Sequence, residues 1–362
     1  MAKATAPHDD VFDPAAGRWS ANPILAHASH FRSLAEGATY SWGGAKVYSA
    51  KFGDEYKHTH GGKSVLVVKY QPTGAVCSEC DTVIPDNELA EILASGNASI
   101  YNNSFGQCWF SSWTVVPTVV TFDESGKHFY QVIDEVREAA FAEGYNYLDF
   151  DFDLAWKRAT NSVGGSATPG GRAQRFMYDG SLSTFTDKIF PHEFLHNFGT
   201  GHAWFTGAEY GDPYDITGAG SGSIAHVSAA TKHRFSWIDP EYTALVNPSS
   251  LPMGMTATYT LRAFDVADAP AKLESGEVLT VRLDTRFNHS DCDHAYSWCP
   301  SFDGNAWTGS AAAKSDYYLY ISYRSQYADA AGGAQLHIAK YAPSGWVEAT
   351  ALLDVRPAGS SV

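Results

Sequence analysis

The sequence is most informative at first through what it lacks. No apolar run approaches the ~18 residues that a membrane-spanning helix needs. The opening residues Met1 to Asp10 contain no apolar h-region, so no secretory signal is read there. Basic residues are outnumbered, with 25 Lys and Arg against 40 Asp and Glu, a net charge of −15 and a pI near 5.3. That balance argues against a surface built for nucleic acid or anionic membranes, both of which require clustered cations. Cysteine is scarce, at five residues. Cys77 and Cys80 form a C-x-x-C without the second such pair that a zinc ribbon needs, and they lack the strand-to-helix setting of a redox motif. The favoured reading is structural disulfides, Cys292 to Cys299 and one of Cys77 or Cys80 to Cys108, which leaves one thiol over and suits an oxidising compartment. What is present is ample core material: 44% hydrophobic and 14% aromatic residues in 362 place the chain among globular proteins with room for two cores.

The chemistry concentrates in Pro191-His-Glu-Phe-Leu-His-Asn-Phe-Gly-Thr-Gly-His202, which reads H-E-x-x-H-x-x-G-x-x-H from His192. On a helix over about Thr184 to Phe198, His192 and His196 stand one turn apart, ~6 Å in rise and ~40° in azimuth, so two imidazoles can share one ion. Glu193 lies at the edge of that site, placed to take a proton from an activated water. Gly199 lets the chain leave the helix at positive φ, so that His202 returns as the third ligand. Three protein ligands leave a fourth position open, as catalytic zinc requires. Chance would produce the long motif in roughly one chain of this size in ten thousand, against about three in a hundred for H-E-x-x-H alone.

At these residues the chain resembles the metzincin metallopeptidases. The stretch Glu209-Tyr-Gly-Asp-Pro-Tyr-Asp-Ile-Thr-Gly218, with Ala229 to Ile238, is similar to the Met-turn and following helix of the gametolysin family. Tyr317 to Arg324 and Leu352 to Pro357 are similar to that family's downstream strands, and the resemblance spans roughly residues 64 to 358. It implies a secreted zinc-dependent endopeptidase with one catalytic zinc on His192, His196 and His202 and Glu193 as general base. Tyr214, Asp215, Thr217 and Gly218 take the place of the Met-turn. Thr217 stands where the family has Met, and its hydroxyl needs a partner, so a softer or hydrated floor is expected there. No cysteine precedes Cys77, so a cysteine blocking the metal from an N-terminal prosegment is not encoded.

Along the chain, residues 1–62 show no long periodicity and are read as an N-terminal extension or propeptide remnant, with His58 and His60 as solvated loop histidines. Residues 63–247 are read as the catalytic domain, an α/β metzincin-like arrangement of a twisted mixed sheet and an active-site helix. Its expected elements are a buried strand Ser64 to Tyr70, a helix from Asp86, a strand Trp113 to Phe122, an amphipathic helix His128 to Glu143 stopped by Gly144, and a strand Tyr147 to Phe152. Arg172 to Tyr178 reads as an edge strand, which in metzincins binds extended substrate, making Gln174, Arg175, Phe176 and Met177 the candidate main-chain contacts. Asp149, Asp151 and Asp153 alternate along a strand edge, and Ca2+ there is an alternative without the loop spacing to support it. Residues 248–362 are read as a β-rich C-terminal domain.

The expected partner is a protein or glycoprotein substrate, of cell wall or extracellular matrix, met by an extracellular monomer. No nucleic acid and no membrane span are expected. The alternative is a catalytically weak zinc-bearing binding protein of the same fold, motivated by Thr217 and opposed by the intact Glu193.

Overall fold

The computed structural model describes residues 12–13, 18–19, 41–42, 45–46, 59–73, 86–158, 164–178, 188–205, 208–220, 225–247, 257–266, 268–287, 316–327, 330–341 and 347–357. Cys77, Cys80, Cys292, Cys299 and His58 lie outside these, and with them the expected disulfides. The chain divides into two compact units, residues 1–100 with 107–197, and 101–106 with 198–362. The break at Asn197 falls well before the boundary expected at residue 247, because strands on both sides of that expected boundary share one sheet.

In the first unit, β1 (Phe12–Asp13), β2 (Arg18–Trp19), β5 (Gly61–Pro72), β6 (Cys108–Val115), β7 (Val120–Phe122), β8 (Phe152–Arg158), β9 (Gly164–Ala167) and β10 (Ala173–Tyr178) form an eight-stranded mixed sheet. Among the described residues, two further short strands, β3 (Ser41–Trp42) and β4 (Ala45–Lys46), pair with each other. The main order is β1-β2-β6-β5-β8-β10-β9, with β7 beside the end of β5. β5 is the central strand, parallel to β6, β7 and β8. Val65, Leu66, Val67 and Val68 are all buried, as an apolar β-branched run covered on both faces should be.

Helix α1 (Asp86–Asn103) starts at the expected residue, and the side chain of Asn97 ties it to the sheet by bonding both N–H and C=O of Phe110. Helix α2 (Phe129–Ala142) matches its stripe: Val132, Ile133, Val136 and Ala140 are buried against Leu66, Val68 and Ala155. Gly144 has φ +92°, the conformation that closes a helix and that a Cβ resists.

The stretch Tyr147 to Phe152 is not one strand. The Asn146 side chain accepts from the Leu148 N–H and starts a 3-10 turn over Tyr147–Asp149, and β8 begins only at Phe152. Two of the three aspartates consequently serve separate partners. Asp153 makes a two-bond pair with Arg137, at 2.9 Å each, Asp151 accepts from the N–H and hydroxyl of Ser64, and Asp149 is exposed. His60 bonds Gln107 and Thr59, a use within the fold.

In the second unit, β11 (Ala203–Phe205), β12 (Thr243–Val246), β15 (Thr280–Phe287), β16 (Asp316–Tyr327), β17 (Ala330–Tyr341) and β18 (Val347–Pro357) form a six-stranded sheet in the order β11-β18-β17-β16-β15-β12. β15 to β18 are antiparallel neighbours, while β11 and β12 attach in parallel at the two edges. A small pair, β13 (Thr260–Leu261) and β14 (Glu277–Val278), stands apart. Helix α4 (Ala229–Arg234) is capped by the Ser228 hydroxyl, which accepts from the Thr231 N–H.

Candidate metal centre

Helix α3 (Phe190–Asn197) carries the motif. Its aim follows from helical geometry. Residues two apart point to opposite faces, about 200° around the axis, so Phe190 and Phe194 on one side place His192 and His196 on the other. The two phenyl rings pack into an aromatic bed, Phe194 with its centroid 4.3 Å from that of Phe110 and 5.3 Å from that of Phe152, and Phe190 stacked 5.4 Å from Phe176. Burying both rings contributes roughly 2–3 kcal/mol each and fixes the rotation of the helix. Pro191 falls in the first turn of the α-helical part, where proline is tolerated. The α-helical part starts at Phe190, later than the expected Thr184, and residues 181–187 lie outside those described.

The ring nitrogens converge. His196 Nε2 lies 3.0 Å from His192 Nε2, and the ligand atoms of His192, His196 and His202 all fall within 4.8 Å of one another. His192 and His196 are buried and His202 is partly exposed. Gly199 has φ +97°, as the turn toward His202 requires. Three imidazoles with two Nε2 atoms at hydrogen-bond distance are a donor set that fits a zinc ion, whose His ligands bind at ~2.0–2.1 Å.

Glu193 is buried, its Oε2 has no hydrogen-bond partner, and burial pushes its carboxyl up to about 8. The neighbour that closes over it is Gly165 of β9. A Cβ built there would lie 2.4 Å from Glu193 Cγ and 2.7 Å from Oε1. Sequence reading passed over Gly165, because a glycine in a Gly-rich stretch carries no pattern of its own.

The substrate-strand expectation needs correction. The backbone of Gln174 to Met177 is paired on both sides, in parallel with Leu154 to Lys157 and antiparallel with Gly164 to Ala167. Among the described residues, β9 ends the sheet on the side of β10. Alternation in β10 revealed a strand but could not reveal its neighbours. Gln174 is fully buried and donates through Nε2 to Asn197 Oδ1, while Asn197 Nδ2 donates to Thr168 O at 2.9 Å and to Ala173 O at 3.3 Å. Gly170 N donates to His196 O at 2.9 Å. The β9–β10 hairpin is thereby tied to the end of the histidine helix.

The loop Tyr214 to Gly218 is compact and its core is buried. Asp215 Oδ1 accepts from the N–H and the hydroxyl of Thr217, both at 2.8 Å, and Oδ2 accepts from Ser228 N at 2.7 Å. The Thr217 hydroxyl therefore has its partner, contrary to the softer floor expected from sequence. Thr217 O accepts from Ala203 N at 3.1 Å, linking the loop to the residue after His202. Burial and the neighbouring Asp212 push the Asp215 carboxyl up to about 6 despite its three donors. Asp212 pairs with His337 of β17, Oδ2 to Nε2 at 3.0 Å, both buried.

Residues 165–297 match the family model described as gametolysin peptidase M11. No match was found among curated proteins. Among solved structures, one described as "Structure of a chaperone-substrate complex" aligns at 15% identity and a TM-score of 0.29 over 45% of this chain, and the match spans 28% of that chain.

Proposed function

We propose, because residues 165–297 match the model of the gametolysin peptidase family, that the chain is a zinc-dependent endopeptidase of the metzincin type, with residues 63–247 as its catalytic part. The observation that carries this reading is the convergence of His192, His196 and His202 beside the buried carboxyl of Glu193. Zinc held by the three imidazoles would supply Lewis acidity, polarising the scissile carbonyl and acidifying the attacking water.

With zinc bound, its positive charge would favour the carboxylate over the neutral form that burial favours, and Glu193 acts as the general base. It takes a proton from water as the oxygen adds to the carbonyl carbon, then gives that proton to the amide nitrogen as the C–N bond breaks, leaving an acid and an amine. The carboxyl has no competing hydrogen-bond partner at Oε2, and β9 shields it from bulk solvent through Gly165. Extended substrate adds to the outer edge of β9, with Gly164 to Ala167 supplying main-chain groups. Gln174 to Met177 support that strand from behind.

The loop Tyr214 to Gly218 takes the place of the Met-turn. The rival reading, a catalytically weak binding protein, drew on Thr217, and Thr217 is integrated into a fully bonded turn. We place the enzyme outside the cell as a monomer acting on protein or glycoprotein of wall or matrix. Among the described residues no helix is long and apolar enough to cross a membrane.

The deciding experiment measures zinc content and cleavage of a quenched fluorescent peptide library, with and without chelator, for the parent and Glu193→Gln. The expected result is equal zinc in both proteins, chelator-sensitive cleavage in the parent, and a loss of at least about 10³-fold in kcat in the variant. Activity of Glu193→Gln within tenfold of the parent would remove the general base.

A further inference from the structure

His202 differs from the other two histidines in having no helix beneath it. His192 and His196 inherit their directions from α3, whereas His202 lies between a glycine turn and the short strand β11. What orients it is the chain that follows. Phe205 and Ala208 exchange both backbone hydrogen bonds, at 3.2 and 3.0 Å, and Gly211 N donates to Ala208 O at 3.1 Å. A Cβ at Gly211 would lie 2.7 Å from Ala208 O and 2.8 Å from Phe205 O, so only glycine closes this hairpin.

The returning arm brings two side chains to His202. Glu209 Oε1 lies 2.5 Å from Nδ1. The Tyr210 ring covers one imidazole face, centroids 3.8 Å apart and planes inclined by 36°. Tyr210 holds φ +62°, a backbone conformation that residues with a side chain rarely adopt, so the hairpin retains an unfavourable rotation in delivering the ring.

We propose that Glu209 is the positioning residue for His202, with Tyr210 as the wall against which the imidazole is held; the inference rests on the metal-binding reading above. A carboxylate only accepts, so the bond to Glu209 places the ring hydrogen on Nδ1 and leaves the Nε2 lone pair for the metal. Partners of this kind fix tautomer and orientation and raise the basicity of the ligand. Glu209 touches neither substrate nor reacting atoms, and its effect passes entirely through His202.

The test has two arms. Zinc affinity of the whole protein is measured by competition with a chromogenic chelator for the parent, Glu209→Ala and Glu209→Gln. The expectation is 10–100-fold weaker zinc binding in Glu209→Ala. Glu209→Gln, whose amide oxygen accepts the same bond, should remain within about fivefold of the parent. The melting temperature of both metal-free variants should be unchanged. The second arm uses no metal: nitrogen-15 spectra of His202 at pH 8 should show the hydrogen on Nδ1 in the parent and a move toward Nε2 in Glu209→Ala.

Zinc affinity of Glu209→Ala within twofold of the parent overturns the proposal, as does a parent His202 that carries its hydrogen on Nε2. A parent that takes up no zinc yet keeps the hydrogen on Nδ1 would refute the metal reading while leaving Glu209 as the group that orients this ring.

Discussion

Replacing Gly165 by alanine tests the link between the outer strand and the base. The added Cβ would stand 2.4 Å from Glu193 Cγ and 2.8 Å from Cδ, where a normal carbon contact is ~3.5–4.0 Å. Relief therefore needs a displacement of about 1 Å, shared between β9 and Glu193. The Glu193 side chain is poorly placed to yield, because it is buried and Cγ is too near the backbone to swing away alone. Overpacking of this size costs ~1–3 kcal/mol of stability. A displacement of ~1 Å at a reacting group costs about 10²-fold in rate, equivalent to ~2.7 kcal/mol in the barrier. We expect Gly165→Ala to fold, to bind zinc normally and to cleave a peptide substrate with kcat reduced about 100-fold. Peptide kinetics, metal analysis and a thermal melt on one preparation separate these effects. Activity within threefold of the parent, with a normal melt, would mean that Glu193 moves freely and that Gly165 does not set its position.

Gly96→Ala should destabilise the first unit by about 1–3 kcal/mol, since a Cβ there would meet Phe190 Cδ1 at 1.9 Å, and this outweighs the ~1 kcal/mol that alanine gains over glycine in a helix; chemical denaturation would show it. His226 is buried, with Lys232 Nζ 3.2 Å from Nδ1, and burial, then the charges of Lys232 and Arg324, hold its imidazole well below the ordinary value of 6.5. Below pH 6.5 the unfolded chain takes up a proton that the folded imidazole does not, so the stability due to His226 is present above that pH and is lost as the pH falls, at up to about 1.4 kcal/mol per unit. His226→Gln should flatten the acid limb of stability against pH between 6.5 and 4.5, and an unchanged limb would show that His226 is protonated in the fold.

What was legible in the sequence was local. The long histidine motif, Gly199, Gly144 and the stripe Val132, Ile133, Val136 and Ala140 all rest on helical periodicity or on a single positive φ, and the structure has each in place. What was not legible depends on neighbours distant in sequence. β10 was recognisable as a strand, but its flanking by β8 and β9 is a matter of pairing, which side-chain alternation does not encode. β9 itself, Gly164-Gly-Ser-Ala167, has almost no side chain to pattern. β11 and β12 bracket residues 203–246 and join the sheet of β15 to β18, a pairing that the turn to β-rich composition does not announce. Glu209 was visible as a residue, and no spacing rule connects it to His202, because the connection runs through a hairpin closed by Gly211.

The same distinction explains how the loop below His202 tolerates threonine. A buried thioether supports its neighbours by bulk, and replacing it with a smaller side chain in an otherwise apolar floor would leave a cavity costing ~20 cal/mol per Å2 of its surface. Here the floor buries Ile216 but is held by polar contacts on either side of it. Asp215 receives three hydrogen bonds, two of them from Thr217, and Asp212 is paired with His337 across 125 residues of chain. Each neutral bond is worth only ~0.5–1.5 kcal/mol net, but those to a carboxylate are worth roughly twice that, and together they restrict the loop directionally in a way that bulk does not. The counterweight is the desolvation of two carboxylates in one buried loop, visible in the raised Asp215 carboxyl. A methionine at position 217 would therefore add apolar bulk while removing one donor from Asp215, leaving a buried carboxylate less satisfied. Threonine is the residue this particular floor requires, and the hydrogen bond from Ala203 N to Thr217 O carries its rigidity to the backbone next to His202.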